Sequence, residues 1–108
     1  MIIAKFPEDT DKIMVEGLTQ WDKGRKLRIE LSSIPESFEV HFANRNSKTA
    51  IVEKSTAVDG VCVVNIPDEV LTQSVDAIAW VYATPGEGVG KTIARIDMPI
   101  EERPKPEN

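Results

Sequence analysis

The sequence predicts a mostly β protein with the architecture of an immunoglobulin-like antiparallel β-sandwich of about seven or eight short strands. Apolar and polar residues alternate along most of the chain, turn signals recur roughly every 8–12 residues, and only one short segment has helical character. The chain of 108 residues is also long enough to form one domain with its own hydrophobic core.

The strand predictions follow this alternation along the chain. Residues 1–6 and 12–15 are apolar and β-branched, and Pro7 ends the first of these segments. Residues 26–31 and 37–42 place apolar side chains at every second position, which is typical of a strand with one solvated face. The next strands are predicted at residues 49–53 and 61–66.

Residues 76–83 are β-branched and aromatic, and they predict a central strand that is covered on both sides. Ile78, Trp80 and Tyr82 share one face of this strand, and we expect Trp80 and Tyr82 to belong to the core. A glycine-rich turn at residues 85–90 leads to the last predicted strand, residues 91–98.

Two segments depart from the strand pattern. Pro67 followed by acidic residues predicts one short helical turn near residues 67–73. Residues 101–108 are charged and contain two prolines, which favours an extended, semi-rigid linker. The expected organisation is a sandwich domain at residues 1–100 and a linker at 101–108 that leads to a C-terminal region absent from this sequence.

Composition limits the possible partners. The net charge is −5, and no long basic cluster offers the phosphate contacts on which nucleic-acid binding depends. No apolar run approaches the roughly 18 residues of a membrane helix, and the first residues lack the pattern of a signal peptide. We therefore expect no nucleic-acid binding, no membrane insertion, and synthesis without a signal peptide.

The sequence carries one motif that resembles a phosphate-binding loop, Gly90-Lys91-Thr92. Pro85 replaces the first glycine of that motif, and the residues after Thr92 alternate as a strand instead of opening a helix. We therefore predict a hairpin tip at this point. ATP binding through Lys91 stays an alternative that a titration with Mg-ATP would test.

No other pattern predicts catalysis, a cofactor or a metal. His41 is the only histidine and is expected to point outward beside Glu39, and Cys62 lies in an apolar run that favours a buried thiol. One histidine and one cysteine do not complete a conventional zinc site, and no serine has the spacing of a catalytic nucleophile. We expect no enzymatic activity.

Trp21 is the residue with the clearest possible role in binding. It precedes a turn and a strand, where a tryptophan usually packs over the open end of a core. The functional alternative is an exposed aromatic side chain that contacts a sugar or a protein. The sequence is consistent with both roles of Trp21, packing over the core and contact with a ligand.

The order of several segments resembles one family, the N-terminal domain of tail-tip and upper-baseplate structural proteins in phages and prophages of Gram-positive bacteria. The resemblance spans nearly the whole chain. Its segments are Gln20–Leu27, Val40-His41-Phe42, Asn65–Leu71, Ala77–Tyr82, Gly90-Lys91-Thr92 and Arg103-Pro104-Lys105-Pro106.

The resemblance implies a non-catalytic structural domain in the virion, at the tail tip or baseplate, that anchors a fibre or receptor-binding assembly. It would be made in the bacterial cytoplasm, its partners would be other tail or baseplate proteins, and the full-length protein would be a homo-oligomer. The alternative function is a carbohydrate-binding β-sandwich module that recognises a host surface glycan through Trp21 or another exposed aromatic residue.

Overall fold

The computed structural model describes residues 1–107 and confirms a mostly β protein with the form of a β-sandwich. The described residues form ten strands and one 3-10 helix. The strands are β1 (Ile2–Lys5), β2 (Lys12–Met14), β3 (Leu18–Thr19), β4 (Lys26–Glu30), β5 (Ser37–Asn44), β6 (Ile51–Thr56), β7 (Val61–Asn65), β8 (Ala77–Gly86), β9 (Val89–Met98) and β10 (Ile100–Glu101).

A three-stranded sheet in the order β1-β4-β7 forms one layer. Strand β4 pairs antiparallel with β7, as expected, but parallel with β1. Leu27 and Ile29 of β4 point inward and are fully buried, while Arg28 lies on the outer face between Ile3 and Val63.

A five-stranded sheet in the order β2-β9-β8-β5-β6 forms the other layer. Its centre is the antiparallel set β9-β8-β5-β6, and β2 joins the edge of β9 in parallel. Small inward residues of β8, Ala77 and Ala79, allow the two layers to pack closely. The hydrophobic core contains Ala4, Leu18, Leu27, Ile29, Val40, Phe42, Val64, Leu71, Ala79, Val81, Ile96 and Met98.

The ten strands exceed the predicted number because of two very short ones. Strands β3 and β10 contain two residues each and pair in parallel as a separate two-stranded sheet. They carry too few residues to show a period in the sequence. The predicted helical turn is present as the 3-10 helix Asp68–Thr72, which packs Val70 and Leu71 into the core.

The prediction that Trp80 and Tyr82 belong to the core is wrong. The core face of β8 is formed by Ala77, Ala79 and Val81, so Trp80 and Tyr82 lie half-buried on the outer face. Both faces of β8 are apolar in sequence, and the alternation alone therefore did not distinguish them. No further layer of the described chain covers the outer face, and polar side chains of neighbouring strands pack there instead.

Among the described residues, no helix has the length and apolar character needed to cross a membrane.

Candidate functional site

Trp21 lies in the loop between β3 and β4, at one end of the sandwich. Its side chain is half-buried, so it borders the core and also contacts solvent. Its backbone has a φ of 72°, a region that bulky residues rarely adopt and that costs free energy unless the surroundings hold it. The Trp21 N–H donates to the carbonyl of Leu71 at 2.7 Å, which ties the loop to the 3-10 helix.

Further hydrogen bonds hold the same loop in place. Arg25 donates to the Asp22 carboxylate at 2.7 Å and to the Gly17 carbonyl at 3.2 Å. The Gly24 N–H donates to the Asp68 carboxylate at 3.0 Å, which adds a second link to the 3-10 helix. The unusual backbone of Trp21 is therefore fixed by contacts on both sides of it.

Gln20 connects this loop to the end of the described chain. Its N–H donates to the Glu101 carbonyl at 2.8 Å, and its side-chain amide donates to the Thr72 carbonyl at 3.0 Å. The Arg103 guanidinium donates to the Gln20 carbonyl at 2.9 Å, and the Arg103 N–H donates to the Gln20 side-chain oxygen at 3.3 Å.

Residues 102–106, which we call the strap, continue from β10 past Trp21. The ammonium group of Lys105 lies 5.4 Å from the centre of the Trp21 ring, within the range of a cation–π interaction. The predicted linker thus begins with Glu101 in β10 and then follows the surface of the domain. Asn108, its last residue, lies outside the described residues.

The strap, the loop of residues 20–25 and the 3-10 helix border a shallow groove of about 330 Å³, which we call the Trp21 groove. The Trp21 ring and Pro106 give it apolar surface, and charged side chains lie around them. The lining residues are Trp21, Asp22, Lys23, Asp68, Glu69, Thr72, Lys105 and Pro106.

The charges of the groove come from different elements. Asp22, Asp68 and Glu69 supply carboxylates from the loop and the 3-10 helix, whereas Lys23 and Lys105 supply ammonium groups. An aromatic ring beside carboxylates favours cationic groups, and a ring with flanking hydrogen-bonding groups also suits a sugar. The arrangement is therefore suited to binding through contacts at the surface.

His41 lies on the outer face of the five-stranded sheet, as predicted. Its Nε2 is 2.9 Å from the Glu39 carboxylate, and its ring stacks on Tyr82 with 4.7 Å between ring centres. On β9, which pairs with β8, Arg95 lies 5.9 Å from the centre of the Trp80 ring and donates to Asp97 at 2.8 Å. These pairs cover the outer face with polar and aromatic side chains.

Cys62 is buried in β7, as predicted. Burial raises the pKa of its thiol, and hydrogen bonds with Ile29 and Ser55 oppose this effect in part. A thiol with a raised pKa is a poor nucleophile at neutral pH. Cys62 is far more suited to packing than to chemistry.

The segment that resembles a phosphate-binding loop forms the β8–β9 hairpin. Gly86 pairs with Val89, so Glu87 and Gly88 make the turn, and Gly88 has a φ of 74°. Lys91 then lies within β9, which confirms the strand interpretation of the residues that follow Gly90.

Sequence reasoning missed two polar residues that organise this part of the fold. Asn44 is buried, and its amide donates to the carbonyls of Val70 at 2.8 Å and Val75 at 3.0 Å, which fixes the segment around the 3-10 helix. Gln20 links the loop, the helix and the strap. The only sequence signal for Gln20 was its position next to Trp21, and Asn44 resembled an ordinary turn residue.

Among residues 1–107, no three histidine, cysteine or acidic side chains are grouped so that they could hold a metal ion. No protein-family model matches the chain, and no curated protein matches it.

Proposed function

We propose that this chain is a non-catalytic structural domain of a phage tail or baseplate protein, and that it anchors a fibre or receptor-binding assembly through protein–protein contacts. Its partners are other tail or baseplate proteins, and the full-length protein is a homo-oligomer located in the virion. Such an anchoring role requires a rigid domain with a surface that neighbouring proteins contact, and it does not require catalysis.

The observation that carries this proposal is the Trp21 groove. A tryptophan held in an unfavourable backbone conformation, the end of the 3-10 helix and the strap together form one half-open surface. Tryptophan and arginine are enriched among residues that contribute most to protein interfaces; Trp21 lines the groove, and Arg103 binds the carbonyl of the neighbouring residue, Gln20. The resemblance of the sequence to tail-tip and upper-baseplate domains gives the class of partner.

Co-expression tests the proposal. The chain is produced with an affinity tag together with the structural proteins encoded beside its gene, and complexes are isolated and measured by light scattering. We expect a stable complex with at least one tail protein, and a weaker one for Glu69→Lys, which reverses a charge at the groove. Glu87→Lys is the matched control, because it makes the same charge change at an exposed turn residue that does not line the groove. A chain that binds none of these proteins contradicts the proposal.

A carbohydrate-binding function is the second candidate, and the half-buried ring of Trp21 beside a groove of about 330 Å³ favours it. Sugars stack their apolar faces on aromatic rings, and the carboxylates of Asp68 and Glu69 would accept hydrogen bonds from hydroxyl groups. A glycan array compares the wild type with Trp21→Gly, and Trp80→Phe serves as the control on the outer face. Binding that is lost only in Trp21→Gly, with an unchanged unfolding midpoint, supports the sugar-binding function.

A further inference from the structure

The strap lies outside the hydrophobic core, which distinguishes it from the rest of the chain. The last core residue is Ile100, and residues 101–107 are all exposed. Beyond β10, the strap is held by the hydrogen bonds of Arg103 to Gln20 and by Lys105 over Trp21. Release of the strap therefore leaves the core and all three sheets intact.

The groove and the strap have complementary chemistry. The strap presents a guanidinium and an ammonium group two residues apart, on an extended backbone stiffened by two prolines. The groove offers an aromatic ring for the cation, and its lining also includes the carboxylates of Asp68 and Glu69. The position of Lys105 over Trp21 shows how such a segment is recognised.

We propose that the Trp21 groove and the strap are a self-complementary docking pair, which is closed within one chain in this structure and forms between two copies when chains are held close together. Every copy carries both halves, so the strap of one copy fits the groove of the next. Exchange of identical elements preserves the contacts made within one chain and is a low-cost route to association.

Concentration determines which form dominates. A short tether gives the strap of the same chain an effective concentration on the order of millimolar, so isolated chains at micromolar concentration keep their own strap. Chains gathered in an assembly reach comparable local concentrations, and exchange between copies becomes competitive there. The proposal deepens the assembly role and rests on it for its use in the virion.

Mixing two complementary variants tests the docking pair with purified protein. Arg103→Ala/Lys105→Ala disables the strap and leaves the groove, whereas Trp21→Gly disables the groove, relieves the backbone at position 21 and leaves the strap. Analytical ultracentrifugation measures each variant alone and the mixture, with one variant carrying a fluorescent label. We expect each variant alone to sediment as a monomer, and the mixture to form a one-to-one heterodimer that increases with concentration.

The control is a triple variant that carries all three substitutions on one chain. Mixed with the strap-disabled variant it has no strap to offer, so we expect no heterodimer. A complementary mixture that stays monomeric up to millimolar concentration overturns the docking pair. It would leave the assembly role to its own test, because no tail protein takes part in this experiment.

A peptide titration keeps the proposal testable if Trp21→Gly fails to fold. The probe is a synthetic peptide with the sequence of residues 101–107, added to the strap-disabled variant while tryptophan fluorescence is recorded. We expect saturable binding, and about tenfold weaker binding to the wild type, whose own strap competes. Absence of binding to the strap-disabled variant overturns the proposal.

Discussion

The β8–β9 hairpin contains a glycine whose replacement should destabilise the protein because of one neighbouring side chain. A Cβ atom at position 90 would overlap the hydroxyl and ring of Tyr82, which lies on the neighbouring strand β8. Gly90 does not have a positive φ, so the backbone itself accepts alanine. Gly90→Ala therefore forces Tyr82 to move and breaks its stack on His41.

The size of the effect follows from opposing contributions. Loss of an aromatic stack costs about 0.5–1.5 kcal/mol, and forced repacking adds about 1 kcal/mol at a half-buried position. Replacement of glycine by alanine gains about 0.4–1 kcal/mol, because it restricts the unfolded chain. We expect Gly90→Ala to lower the free energy of unfolding by about 1 kcal/mol.

Urea unfolding followed by tryptophan fluorescence measures this difference. Gly86→Ala is the matched control, since a Cβ atom there meets nothing within 4 Å, and it should stabilise the protein by a few tenths of a kcal/mol or more. In a Tyr82→Thr background the overlap disappears, so Gly90→Ala should become neutral or stabilising. The reasoning is refuted if Gly90→Ala behaves like Gly86→Ala in the wild type, or if Tyr82→Thr leaves its effect unchanged.

Three further predictions concern other parts of the fold. The free energy of unfolding should be about 1 kcal/mol higher for Trp21→Gly than for Trp21→Ala, because a φ of 72° is unfavourable for alanine but not for glycine. Equal unfolding midpoints of the two variants in urea would contradict this. Asn44→Ala should cost about 2 kcal/mol in the same assay, since the carbonyls of Val70 and Val75 lose their donor, and a loss below about 0.5 kcal/mol would argue against that role. Burial raises the pKa of the Cys62 thiol in the folded protein, so below about pH 8.5 the thiol is protonated in both the folded and the unfolded state. Above this pH the thiol ionises first in the unfolded state, and the stability of the folded protein therefore falls as pH rises. Stability curves between about pH 8 and 10 should therefore decline less for Cys62→Ala than for the wild type, and parallel curves would count against this explanation.

The alternation of side chains was sufficient to predict most of the sandwich. Strands β4 and β5 appear where apolar residues occupy every second position, and Pro67 with its acidic neighbours marked the short 3-10 helix. The period is visible because one face of each strand is buried and the other is solvated. Strand β6 begins at Ile51, two residues later than predicted, because Thr49 and Ala50 resemble strand residues but lie in the preceding turn.

The remaining features depend on distant parts of the chain. The parallel pairing of β1 with β4 and of β2 with β9 is a matter of tertiary arrangement, which periodicity does not encode. Residues of β8 are apolar on both faces, so only the packed structure reveals that the alanine face is the inner one.

The candidate site was predicted only in part. Trp21 was recognised as unusual for its residue type and position, but its groove requires the strap, which lies about eighty residues further along the chain. Contacts over such a separation leave no local signal in a single sequence. The bonds of Gln20 to Thr72 and Arg103 were therefore beyond prediction.

Immunogold electron microscopy tests the proposed place in the virion most directly. Antibodies raised against the folded domain are applied to phage particles induced from the bacterium that carries the gene. The account predicts gold at the distal end of the tail, on the baseplate or tail tip. Gold confined to the capsid, or unlabelled particles in a lysate that contains the protein, would contradict it.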